Sequence, residues 1–237
     1  MGQTKAWGGT ELMRDRILGN LDPGLRNYFQ FILSRKRGLK NKPRIFWTHE
    51  TPRVWDSRFI GAPEEQELFA KIVFVSNWQQ EQFLTHLKVP YSKGIVLQNA
   101  ITPLPFHVKP KNGVFKLIYA STPFKGLDVL LDAFEIVSGK RDDIELNIYS
   151  SFKIYDKPWM DLKYNYLYDR ARNMKNVNYH SSVSNEELRR VLQEIHLLVY
   201  PATTQETSCL IVIECMSAGC LCLVPNWGAL PETCANF

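Results

Sequence analysis

Glu206 and Glu214 stand eight positions apart in TTQETSCLIVIECMSAGCLCLVPNWGALPE, residues 203–232. Inside one helix they would lie about 12 Å apart along the axis and on somewhat different faces. A better arrangement leaves Glu206 in the loop after a strand that ends at Tyr200 and puts Glu214 inside a helix over 208–218. Thr207 or Ser208 then caps that helix, and the amides of about Thr207 to Leu210 point outward unpaired. Together with the helix dipole they make an anion site suited to a diphosphate. One carboxylate would sit beside whatever the diphosphate carries, and the other could accept hydrogen bonds from a diol such as a ribose. The spacing alone fits two unrelated glutamates equally well. What favours a site is that Glu214 interrupts the apolar run CLIVIECM, where a carboxylate needs a partner.

The elements that would position these groups follow from the hydrophobic pattern. Apolar runs of about five residues alternate with amphipathic stretches of ten to fifteen, as in parallel strands joined by helices, so the fold class is α/β. Strands are expected at 44–48, 71–76, 94–97, 115–120, 144–149, 177–180, 197–200 and 221–225, and helices at 10–21, 77–87, 126–140, 164–173, 184–195 and 208–218. Ser184 with Glu187 reads as a capping box, and Gly219 suits the left-handed stop of the last helix. ITPLPFHVKPKNG, residues 101–113, has three prolines and no periodicity, and reads as an interdomain linker. The chain then divides into domains at 1–104 and 105–237, and a two-domain α/β protein binds its ligand at the carboxyl ends of its strands, in the cleft between domains.

Composition sets the outer bounds. With 237 residues, 45% hydrophobic and 22% charged, the chain is neither disordered, collagen-like nor a disulfide scaffold. No apolar run approaches the roughly 20 residues that span a bilayer, and the N-terminus has no apolar h-region, which predicts a cytoplasmic protein. All five cysteines fall at or after Cys209; they read as buried, reduced thiols rather than a zinc set, and no metal ligand set is assigned. The net charge of +5 includes a basic run, Arg35, Lys36, Arg37, Lys40 and Lys42, which reads first as a solvated loop, then as weak contact with an anionic membrane surface, and last as a nucleic-acid site.

The segment 203–232 resembles the E-x7-E signature of the family 4 retaining glycosyltransferases, which have the GT-B fold of two Rossmann-like domains with parallel sheets facing across a cleft. Other motifs match in order. Trp7-Gly8-Gly9-Thr10-Glu11 resembles the family's Gly-Gly loop running into a helix, and Trp47-Thr48-His49-Glu50 its strand-end histidine. Val75-Ser76-Asn77-Trp78 and Gln98-Asn99-Ala100-Ile101 are similar to the "V-S" and "N-G-I/V" segments of the first domain. Tyr119 to Leu131, YASTPFKGLDVLL, resembles the phosphate-binding K-G segment, Val177 to Pro201 the stretch where a nucleobase rests near Val183, and Gly228-Ala229-Leu230-Pro231-Glu232 the G-G-x-x-E that follows.

The resemblance implies sugar transfer from a nucleotide-diphospho-sugar to a glycan or lipid-linked acceptor, with retention of configuration and no obligatory metal or cofactor. Catalytic residues would be His49, Lys125 and Glu206; the donor would be held by Gly8, Gly9, Thr122, Val183, Thr207, Ser208, Cys209 and Glu214. The N-terminal domain would take the acceptor and the C-terminal domain the donor. Measured against the family pattern, Ala120 stands where an Arg is usual, five residues before Lys125; the first strand before the Gly-Gly loop and the helices after the LPE segment are missing. These departures keep two alternatives in view, a donor-binding module without turnover and a nucleotide-sugar epimerase on the same fold.

Overall fold

A computed structural model describes residues 8–105, 107–109, 111 and 113–234. They fall into two compact units: Gly9–Ala100 with Gln205–Cys209 and residues 227–234, and Gly8 with Ile101–Thr204 and Leu210–Asn226.

The first unit runs α1 (Gly9–Asn20), α2 (Pro23–Tyr28), β1 (Gln30–Leu33), β2 (Arg44–Trp47), α3 (Pro63–Gln66), β3 (Lys71–Phe74), α4 (Asn77–Leu87) and β4 (Gly94–Val96). Its sheet is wholly parallel in the order β1-β2-β3-β4. Ile32, Phe46, Ile72 and Phe74 from the strands meet Phe83 of α4 and Phe69 in one buried cluster. Each such side chain contributes about 1.5–3 kcal/mol of burial, which fixes where the strand ends emerge. The pair α2 and β1 was not expected: the run FQFIL is short, and its periodicity is hidden by the basic residues that follow. In α4, Ser76 accepts from Gln79 N at 3.0 Å, and Lys88 closes the helix in the left-handed region, so the boundaries agree with those read from the sequence.

The second unit runs β5 (Phe115–Ala120), α5 (Leu127–Ser138), β6 (Ile144–Tyr149), α6 (Asn165–Asn173), β7 (Val177–Tyr179), α7 (Asn185–Leu192), β8 (Leu197–Val199), α8 (Leu210–Ser217) and β9 (Leu221–Leu223). The strand order is β7-β6-β5-β8-β9, all parallel. Ile118, Leu146, Ile148 and Leu198 of the sheet are buried with Leu127, Leu131 and Phe134 of α5 and Val212 of α8. The chain moves outward from β5 to β7, then returns to the other side of β5 with β8. That reversal leaves a crevice at the carboxyl ends of β5 and β8, the place where open α/β sheets bind ligands. A last short helix, α9 (Leu230–Cys234), belongs to the first unit.

One helix start departs from expectation. The helix carrying Glu214 begins at Leu210 rather than Ser208, and the Thr207 hydroxyl donates to the His49 carbonyl at 2.7 Å. Residues 205–209 are thereby drawn into the first unit as an extended loop.

Candidate functional site

At the β5/β8 crevice two loops approach closely. Thr122 is buried, its carbonyl accepts from the Tyr119 hydroxyl at 2.7 Å, and its own Oγ1 is buried with no hydrogen-bond partner among the described residues. Pro123–Lys125 form a 3-10 turn, and Gly126 follows in the left-handed region at φ 97°, where an added Cβ would meet the Pro201 carbonyl oxygen at 2.1 Å. Only glycine lets the backbone after β5 touch the backbone after β8. Thr203 Oγ1 donates to the Phe124 carbonyl at 3.0 Å and holds the same contact from the other side. Among the described residues no side chain caps α5. Its first amides, the half-buried Lys125 and the Thr122 hydroxyl therefore share one strand end, a combination chemically suited to phosphate oxygens.

In the other unit the end of β2 delivers His49. Both of its ring nitrogens are buried without a hydrogen-bond partner, as are Trp47 Nε1 and Asn99 Oδ1. Burial pushes the imidazole down to about 4, and the nearby Asn99 side chain offsets only part of that. His49 is thus neutral at neutral pH, and among the described residues only the nearby Asn99 side chain offers its ring a polar neighbour, a weak one, which leaves capacity for a ligand. The backbone around it is clamped. Gln79, fully buried on α4, donates to the carbonyls of Thr48 at 3.1 Å and Glu50 at 2.7 Å while its Oε1 accepts from Val75 N at 2.7 Å. Ser34 Oγ accepts from His49 N at 3.3 Å.

The 205–209 loop completes this corner. Thr207 bonds the His49 carbonyl, and Glu206 is buried beside Gly228. Gly228 lies at φ 63°, and a Cβ there would come within 2.8 Å of both the N and the O of Glu206. The Glu206 carbonyl accepts from Ala229 N at 2.7 Å. Glu206 is therefore placed by backbone contacts with the Gly228-Ala229 turn.

The family model described as glycosyl transferases group 1 matches residues 115–236, just over half of the chain. The chain belongs to the group 1 glycosyltransferases. No curated protein matches it. Among solved structures it is similar to a glycosyltransferase from Rickettsia africae ESF-5, with a TM-score of 0.62 at 15% identity over 96% of this chain and 64% of that one. It is also similar to Anabaena HepE in complex with UDP and glucose, with a TM-score of 0.60 at 14% identity over 81% of this chain and 55% of that one. WaaG, a glycosyltransferase involved in lipopolysaccharide biosynthesis, gives 0.52 at 14% identity over 80% and 58%. The fold is GT-B, and the chain spans less than two thirds of the length of these structures.

The residues singled out in this glycosyltransferase family member fall into two groups. His49, Glu206, Thr207, Ser208 and Cys209 share the first unit with Gly9, the exposed first residue of α1. Thr122, Lys125, Val183 and Glu214 share the second with the buried Gly8. Trp7 of the Gly-Gly motif lies outside the described residues. Val183 follows Ser181, which holds φ 58° in the turn between β7 and α7. Glu214, buried on α8, meets Arg189 of α7, Nη1 to Oε1 at 3.2 Å. Among the described residues no group of three or more His, Cys, Asp or Glu could hold a metal ion.

Several contributors escaped the sequence reading. Gln79 and Ser34 carry no motif, and Gln79 looks like one more polar residue in NWQQEQ. Tyr149, the last residue of β6, and His180, just after β7, stack with centroids 4.5 Å apart and rings 9° from parallel, next to the Ser181 turn. Burial pushes Tyr149 up to about 12 and His180 below its ordinary range. Glu232 anchors the start of α4, where its carboxylate accepts from Asn77 N at 2.8 Å, Trp78 N at 2.9 Å, Asn77 Nδ2 at 2.8 Å and Gln98 Nε2 at 3.3 Å. Burial alone would raise it, but the amides of Trp78 and Asn77 hold it below the usual glutamate range. It is an anion at the N-terminus of α4, where the dipole favours one.

Proposed function

We propose that the protein transfers a hexosyl-type sugar from a nucleotide-diphospho-sugar to a glycan or lipid-linked acceptor, with retention of configuration and without an obligatory metal or cofactor. The expected division at 104/105 becomes one at Ala100/Ile101 with 205–209 and 227–234 joining the first unit, so the first unit would take the acceptor and the second the donor. The observation that carries the donor assignment is the β5/β8 crevice, where the partnerless Thr122 hydroxyl, Lys125 and the uncapped start of α5 converge. These groups suit the leaving diphosphate, whose developing charge they would stabilise from fixed positions. Thr207, Ser208 and Cys209 would contribute to holding the donor, and Gly8 and Gly9 would let the backbone approach it without a Cβ. Val183 would support the base, Glu214 the ribose diol, and Glu206 the sugar hydroxyls. His49, neutral and with ring capacity left for a ligand, would orient the sugar.

No carboxylate is assigned as nucleophile, so attack from the front face is the step that accounts for retention. The bond from C1 to the acceptor oxygen forms as the bond from C1 to the phosphate oxygen breaks, and the acceptor proton passes to that phosphate oxygen. Proton NMR of the anomeric signal during transfer tests this: the first product should keep the donor's configuration, and an inverted first product would overturn the reading. Activity should survive exhaustive EDTA treatment; its loss and recovery with a divalent ion would remove metal independence.

The exposed basic surface supports a peripheral position at an anionic membrane on the cytoplasmic side. Arg35 pairs with Asp56 at 2.9 Å and Lys36 with Glu65, which takes both out of the basic run. Arg37, Lys40 and Lys42 stay exposed, and Lys42 Nζ reaches the Asn27 carbonyl on α2 at 2.6 Å. That helix buries no residue and exposes Leu25 and Tyr28. Among the described residues no helix is long and apolar enough to cross a membrane. Cosedimentation with phosphatidylglycerol vesicles should weaken as salt rises. Binding that ignores salt, or no binding, would refute the contact.

A further inference from the structure

We propose that Arg189 is a positioning residue for nucleotide recognition: it sets the orientation of the Glu214 carboxylate, and is itself set by the backbone of residues 102–103. The inference rests on the reading of Glu214 as the group that accepts the ribose diol. Glu214 lies in LIVIECMS, the sequence of α8, and its side chain is only 5% exposed. A carboxylate in that setting needs a cationic partner, and Arg189 of α7 supplies one. Arg189, 25 residues earlier, places Nη1 at 3.2 Å from Glu214 Oε1. Its Nη2 donates to the Thr102 carbonyl at 2.7 Å and stands 3.5 Å from that of Pro103.

The guanidinium is planar, so a hydrogen bond at Nη2 fixes the direction of Nη1. The carbonyls can do this because their own segment is held in place. Leu104 N donates to Ser217 Oγ at 2.9 Å, and Leu104 is 7% exposed. Ser217 lies three residues after Glu214 on α8, so both anchors sit on one face of the same helix. The residue before Pro103 is restricted to extended conformations, which stiffens the Thr102 carbonyl further. The result is a closed loop of contacts from Glu214 through Arg189, Thr102, Leu104 and Ser217 back to α8. A lysine would keep the charge and lose the fork, since one ammonium cannot reproduce the planar geometry that spans both partners.

The test separates orientation from stability by reading a ratio. Calorimetry on the full chain compares UDP with 2′-deoxy-UDP, and GDP with 2′-deoxy-GDP, and uses the base that binds more tightly. A site that bonds the 2′-hydroxyl through a charged group should prefer the ribo form by about tenfold or more. Glu214→Gln should bring the ratio close to one. Arg189→Met and Arg189→Lys should do the same while leaving affinity for the deoxy form unchanged, and Ser217→Ala, which releases the Leu104 anchor, should lower the ratio by less than either Arg189 variant does. If the ratio survives both Arg189 variants, or if both nucleotide forms weaken equally, the inference is overturned; should Arg189→Met fail to fold, Arg189→Lys alone decides. A ratio near one in the wild type, or one untouched by Glu214→Gln, refutes the ribose reading itself and takes the inference with it.

Discussion

Replacing Gly228 by alanine tests whether Glu206 is placed by the turn that follows α8 and β9. Two separate costs arise. Holding a residue with a Cβ at φ 63° costs about 1–2 kcal/mol relative to glycine. The new Cβ would also stand 2.8 Å from the N and O of Glu206, whereas ordinary contact begins near 3.4 Å, so the two segments must part by about 0.6 Å. Gly219 isolates the first cost: its φ is 74°, but the nearest atom to an added Cβ is Lys109 Cε at 4.0 Å. Both variants should therefore lose stability, by about 2–8 °C in Tm for a chain of this size. Only Gly228→Ala should also lose catalysis, because a displacement approaching 1 Å in a positioning group costs up to about a hundredfold in rate; we expect tenfold or more. The assay is thermal denaturation beside release of nucleotide from the donor that binds. Wild-type turnover by Gly228→Ala, or equal losses of turnover in the two variants, would refute the reasoning.

Three further outcomes follow from the same geometry. His49 is held neutral by burial, with its imidazole pushed down to about 4, so protonation of the unfolded chain draws stability away as pH falls from about 6.5 to 4, by about 3 kcal/mol in all. His49→Phe should flatten that part of the stability-pH curve measured by urea unfolding, and an unchanged slope would count against it. Gln79→Ala leaves Val75 N and the Thr48 and Glu50 carbonyls without their partner, and should lower stability by about 2–4 kcal/mol, whereas a loss below 1 kcal/mol would mean that water replaces the amide. Glu232→Gln weakens the anchor on α4; because the carboxyl is held below its ordinary range, its contribution is present above about pH 4.5 and disappears as pH falls further, so variant and wild type should converge in acid and diverge at pH 7.

What was legible in the sequence was whatever shows in local chemistry. Glu214 could be read because a carboxylate in CLIVIECM has to be explained, and the Lys125-Gly126 step because a cation at a helix start opposes the dipole. The strands from Phe115 to Ala120 and from Ile144 to Tyr149 agree with expectation to the residue, since each is a short, mostly apolar run rich in β-branched and aromatic residues or leucine. Long-range partnerships stayed hidden. Nothing in NEELRRVL says that Arg189 rather than Arg190 turns inward, because that depends on a carbonyl at Thr102. α8 starts at Leu210 rather than Ser208 for a similar reason: Thr207 looks like a cap in the sequence, but its hydroxyl donates to the carbonyl of His49, 158 residues earlier in the chain. Gln79 was invisible because its importance lies in backbone groups of a neighbouring strand end, which no motif records.

The most direct test of the central claim is calorimetric titration of the folded chain with a panel of UDP- and GDP-linked sugars, with nucleotide release followed on the same samples and Lys125→Ala and His49→Ala alongside. The account predicts that one donor binds, that its nucleotide is released slowly without an acceptor and faster with one, and that both substitutions abolish release. A folded sample that binds no donor, or one whose release is untouched by either substitution, would contradict it.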